Sequence, residues 1–180
     1  MILYVFVFAL TLHAQEIVGT TTEDILQIGV IDGKTPVYVS KTIREGLIST
    51  IVEYYVTIGK EKAGPYDDVG WLTFSPDGKT LAYGAKIDNK WYLIAGKEKA
   101  GPYDVFWDLQ FSPDGKTLAY EAKIDNKWYL IAGKEKAGPY DDVGWLTFSP
   151  DGKTLAYEAK IDNKWYLIAG KEKAGPYDDV

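Results

Sequence analysis

The chain has 180 residues, with 20 Lys and Arg against 26 Asp and Glu and a formal net charge of −6. Acids interleave with the lysines throughout, so no basic face stands free for a nucleic acid. There is no cysteine, and the one histidine is His13; disulfides and thiolate metal centres are excluded, and a mature chain without His13 has no Ser-His-Asp triad, Cys-His pair or His-ligated zinc.

In chain order, residues 1–14 read as an export signal. Ile2 to Leu12 (ILYVFVFALTL) is an apolar run of h-region length, short for a bilayer span, and Ala14 offers a small residue at a cleavage point before Gln15 and Glu16. No Lys or Arg precedes the run, and a buried first strand is its other reading. The expectation is a periplasmic or secreted protein with no stable membrane span.

Residues 15–58 read as a degenerate copy of the unit that follows, or as N-terminal strands. Ile25 to Ile31 and Val37 to Ser40 form a hairpin through Asp32-Gly33-Lys34. Thr42 to Ile51 stays open between helix and strand. Tyr54 to Gly59 (YYVTIG) matches Trp91 to Gly96 (WYLIAG) in position and character.

From Gly59 onward the chain repeats itself with a period of 37 residues: Gly59 to Ala95, Gly96 to Ala132 and Gly133 to Ala169 (59–95, 96–132, 133–169), then the start of a fourth copy over 170–180. The first and third copies differ only at Gly84 against Glu158. The second departs from the third at Val105, Phe106, Trp107, Asp108 and Gln110. A copy that stops at Val180 leaves a unit unfinished, as in a fragment or a truncated frame.

Each copy divides into strands separated by turn chemistry. Val69 to Phe74 is apolar and aromatic. Ser75-Pro76-Asp77-Gly78 is a turn, since Pro presets φ, Asp bonds its own backbone and Gly accepts positive φ. Thr80 to Lys86 alternates, with Leu81, Tyr83 and Ala85 on one face; Asp88-Asn89 closes a second hairpin, and Trp91 to Ala95 follows. A short fourth strand before Pro102-Tyr103-Asp104 is the least marked element. Trp91 and Leu93 point to one side, Tyr92 and Ile94 to the other, so both faces are apolar and each sheet needs a neighbour on each side.

The segment FSPDGKTLAY, at Phe74 to Tyr83, Phe111 to Tyr120 and Phe148 to Tyr157, resembles the core motif of TolB-type, WD-repeat-like β-propellers, and the resemblance covers Gly59 to Val180. It implies an all-β fold: propeller blades of four-stranded antiparallel sheets, with Ser-Pro-Asp-Gly-Lys in the hairpin between the two inner strands of a blade. Six or seven blades are usual in that family. This chain has about four, so a partial or open propeller is expected, with self-association a route to completing it. The resemblance also suggests a bacterial envelope setting.

Where the copies differ, function has room to enter. Trp107, Asp108 and Gln110 fall in the strand expected innermost, and Glu121 and Glu158 in the next. These five are the candidate binding residues, set against neutral drift after duplication. The paired acids Asp67-Asp68 and Asp141-Asp142 suit turn capping better than glycoside hydrolysis, and Asp77, Asp114 and Asp151 lack the spacing of a calcium loop. No catalytic group, metal site or cofactor is expected. The expected role is a scaffold for a protein partner, a small ligand or glycan being the alternative. The rival readings are the propeller portion of a larger hydrolase or peptidase, and a truncated product without independent function.

Overall fold

A computed structural model describes residues 21–45 and 49–178. The export-signal reading of residues 1–14, His13 included, lies outside the described residues. Among the described residues, sixteen strands form four antiparallel sheets, each a four-stranded meander in chain order. The first sheet is β1 (Thr21–Ile31), β2 (Thr35–Glu45), β3 (Thr50–Ile58) and β4 (Glu61–Tyr66). The second is β5 (Asp68–Phe74), β6 (Leu81–Ile87), β7 (Lys90–Ala95) and β8 (Glu98–Tyr103). The third is β9 (Val105–Phe111), β10 (Leu118–Ile124), β11 (Lys127–Ala132) and β12 (Glu135–Tyr140). The fourth is β13 (Asp142–Phe148), β14 (Leu155–Ile161), β15 (Lys164–Ala169) and β16 (Glu172–Tyr177).

The repeat and the sheet are out of phase. After its first two residues, Gly-Lys, each 37-residue copy continues with Glu-Lys-Ala-Gly-Pro-Tyr, which is the last strand of the sheet before it. Glu172–Tyr177, which opens the fourth copy, accordingly pairs with β15 and completes the fourth sheet instead of beginning a fifth. The degenerate first unit is a whole sheet: Tyr54 pairs with Tyr66 as Trp91 pairs with Tyr103. The open segment resolves as strand where it is described, with Thr42 opposite Glu53 and Arg44 opposite Ile51. Its Thr and Ile residues favour the pleated backbone.

Local chemistry sets the turns. Asp88 and Asn89 both take positive φ, 50° and 62°, the pair of conformations that a two-residue type I′ hairpin needs. In the Ser-Pro-Asp-Gly turn, Ser75 Oγ donates to Asp77 Oδ1 at 2.6 Å and accepts from the Thr80 N–H at 2.9 Å. The Lys79 N–H donates to the same Asp77 oxygen. The other two copies repeat these bonds through Ser112 with Asp114 and Ser149 with Asp151, so these aspartates are engaged in their own turns, and their carboxyls lie below the usual range because the serine hydroxyl and then the lysine N–H donate to them.

The sheets follow one another face to face, in blade-like fashion and without closing into a barrel. Leu81, Tyr83 and Ala85 pack on Val37, Val39 and Val56 of the first sheet. From the other side of the second sheet, Ala82 and Leu93 pack on Phe106, Tyr120 and Ala122 of the third. Ala119 and Leu130 meet Leu146, Tyr157 and Ala159 of the fourth. Each junction also carries a hydroxyl pair from the last strand of one sheet to the second strand of the next: Tyr66–Tyr83 at 3.4 Å, Tyr103–Tyr120 at 2.8 Å and Tyr140–Tyr157 at 2.9 Å. Burial, followed by these bonds, raises the Tyr83, Tyr120 and Tyr157 phenols far above their ordinary values.

Candidate functional site

The candidate site lies where the third sheet meets the fourth. In β9, Trp107 stands opposite Glu121 and Gln110 opposite Ala119, leaving Asp108 and Leu109 as a bulge between them. Asp108 takes a φ of 49° there, and the same bulge in β5 and β13 puts Trp71 and Trp145 at 52° and 50°. An aspartate accepts this left-handed conformation more readily than a tryptophan does, so the second copy relaxes its bulge and brings a carboxylate to it.

Directly opposed residues of an antiparallel pair share a face. Trp107 and Glu121 therefore share the face that corresponds to Gly84 in the second sheet, the face turned toward the following sheet. Glu121 is only 4% exposed, and its Oε1 has no hydrogen-bond partner. Burial pushes its carboxyl up to about 7, and the charges of Asp108, Asp142 and Glu158 add to the effect. Trp107 and Asp108 themselves are exposed.

The structure thus gathers Trp107, Asp108 and Glu121, with Glu158 felt from β14. It adds Asp142, which sequence reasoning treated only as half of a capping pair. Asp142 also accepts the Val143 N–H at 3.0 Å. The sequence signal for it was its position: it is the first residue of the strand that follows the third sheet. Gln110 is engaged elsewhere, its Nε2 donating to the Leu146 carbonyl at 2.7 Å and tying β9 to β13. Glu158 lies over its register partner Gly144.

Two of the copy differences are one packing device. Phe106 is fully buried and stands against Trp71, their rings 4.8 Å apart. A Cβ on Gly84 would come within 2.7 Å of the Phe106 ring and 2.9 Å of Trp71. At the next junction Glu121 occupies the Gly84 position and the smaller Val143 the Phe106 position. Large aromatic and glycine at one junction are exchanged for valine and glutamate at the other.

Three further acids serve the backbone. Asp67, Asp104 and Asp141 accept the N–H groups of Asn89, Asn126 and Asn163 in the hairpin of the following sheet. Asp104 and Asp141 also accept from Lys90 and Lys127, which lowers both carboxyls. No group of three acid or histidine side chains is placed to hold a metal ion among the described residues. A cleft of about 550 Å³ lies at the same junction between Leu130, Phe148, Leu155 and Tyr157. Its counterpart of about 490 Å³ lies at the preceding junction, so it is a recurrent product of how the sheets meet.

Comparison with protein-family models finds no match, and comparison with curated proteins finds none either. The functional reading therefore rests on the geometry of this chain.

Proposed function

We propose that the chain is an exported binding scaffold of the TolB-type, WD-repeat-like propeller class, acting outside the cytoplasm. Its site, at the junction of the third and fourth sheets, takes a cationic group, such as a lysine or arginine side chain of a protein partner. The observation that carries this reading is the buried Glu121 carboxyl, its Oε1 without a hydrogen-bond partner, in the field of Asp108, Asp142 and Glu158. Leaving a buried polar group unpaired and crowding it with like charge are both unfavourable. A bound cation would relieve both at once, and the exposed indole of Trp107 beside it offers an aromatic face to the same charge. No step of bond making is asked of these residues.

The test uses tetra-arginine as a probe and Trp fluorescence as the readout. Saturable binding that weakens about tenfold or more in Asp108→Asn and in Glu121→Gln is expected, as is a loss of affinity with added salt. An unchanged signal at millimolar peptide, or the parent's affinity retained in both variants, would remove the reading.

A further inference from the structure

Apart from the copy differences already named, the face of the fourth sheet that points away from the third repeats the face by which the second and third sheets hold their successors. Leu93 and Leu130 are each 4% exposed under the following sheet, whereas their counterpart Leu167 is 44% exposed. Trp71 packs on Phe106 of the next sheet, while Trp145, with the same left-handed backbone, is 80% exposed. Tyr66, Tyr103 and Tyr140 each meet a tyrosine seventeen residues on, and Tyr177 is the fourth of the series. What covers such a face is known from three junctions in this molecule: the second strand of another sheet, with a tyrosine at the Tyr83 position.

The first sheet offers such a strand. Tyr83 stands opposite Ile94, and Tyr38 stands opposite Thr57, the residue one repeat length before Ile94. Tyr38 is therefore the first sheet's equivalent of Tyr83. Val37 and Val39 face the second sheet, so Tyr38 lies on the opposite side. Ile28 is opposite Tyr38 and shares that side, as does Val30 two residues on; they are 62% and 52% exposed. Among the described residues, two largely apolar faces, one at each end of the series, are left uncovered and match in kind, with Glu158 the charged member of the fourth sheet's face.

We propose that these faces join head to tail between copies of this chain, the fourth sheet of one packing on the first sheet of another, with the Tyr177 hydroxyl bonded to the second copy's Tyr38. The contact is heterologous. Two copies of four sheets each close a ring of eight when both contacts form about a two-fold axis, and a contact that misses closure extends into a filament. This contact is separable from the proposed cation site: Asp108 and Glu121 belong to a junction already formed within one chain, and only Glu158, whose charge reaches Glu121, lies on the face at issue.

Sedimentation velocity over a micromolar to millimolar range tests it. The full chain is expected to associate with concentration. Leu167→Glu, which spoils only the fourth sheet's face, and Ile28→Glu, which spoils only the first sheet's, are each expected to be monomeric with unchanged far-ultraviolet circular dichroism. An equimolar mixture of the two retains one sound face of each kind and is expected to stop at a dimer. Tyr177→Phe removes one hydrogen bond at an exposed position and is expected to weaken association about fivefold. A monomeric parent chain, association that survives either glutamate variant, or a mixture that stays monomeric would each overturn the proposal.

Discussion

The hydroxyls of Tyr103 and Tyr120 stand 2.8 Å apart, one on the last strand of the second sheet and the other on the second strand of the third. Both side chains are buried, at 7% and 4% exposure. The pair is the polar member of an otherwise apolar junction, and it fixes the outer part of one sheet to the next. Tyr103→Phe and Tyr120→Phe should each lower stability by about 1 kcal/mol or somewhat more, because each leaves the surviving hydroxyl buried without its partner. The double variant should cost less than the two combined. Urea denaturation of the four variants of this cycle checks it; additive losses would show that the bond is not coupled.

Gly84 is required by its neighbours and not by its backbone, which is ordinary extended strand. The Phe106 and Trp71 rings leave no room for a Cβ. Gly84→Ala should therefore destabilise by about 1–3 kcal/mol, the usual range for an overpacked core. Phe106→Val in the same chain should recover part of that loss, since it copies the junction between the third and fourth sheets. Thermal unfolding of the single and double variants decides whether the two positions act together. Independent effects would show that the two copy differences are not coupled.

Glu121 gives the fold a pH dependence of defined sign. Its carboxyl is raised from the ordinary 4.5 to about 7 in the folded chain. The folded state therefore holds this proton more tightly than the unfolded one does. The resulting stabilisation is complete below about pH 4.5 and is lost as pH rises through 7, in all on the order of 3 kcal/mol. Glu121→Gln should flatten this part of the profile, leaving the variant near the parent at pH 5 and more stable at pH 8.5. Melting temperatures at the two values test this; parallel profiles would place the carboxylate in a better solvated setting.

The sheet architecture was legible because its causes are local. Leu81, Tyr83 and Ala85 alternate with Ala82 and Gly84, and the structure sends the two sets to opposite neighbours. The Asp88-Asn89 and Ser-Pro-Asp-Gly turns carry their own hydrogen bonds and φ preferences. The Tyr103–Tyr120 bond and its two counterparts were not foreseen, since they join separate sheets and no local pattern marks them. Their constant separation of seventeen residues was nevertheless present in the sequence. The site was legible in part. Trp107, Asp108 and Glu121 stood out as copy differences, but Gln110 proved to be a tie to Leu146. Asp142 was hidden because it differs from the second copy only as one of a run of changes, and only the packing of β13 on the third sheet shows its proximity to Glu121.

The mismatch between the copied unit and the folded unit bears on how such a chain can change length. The strands Glu61–Tyr66, Glu98–Tyr103, Glu135–Tyr140 and Glu172–Tyr177 have one sequence. Excising one copy, such as 59–95, joins three strands of one sheet to an identical fourth, and duplicating one inserts a whole sheet with no orphaned edge. Recombination between copies can therefore add or remove vanes one at a time, provided that Glu121 is not brought against Phe106, whose ring leaves no room for a Cβ there.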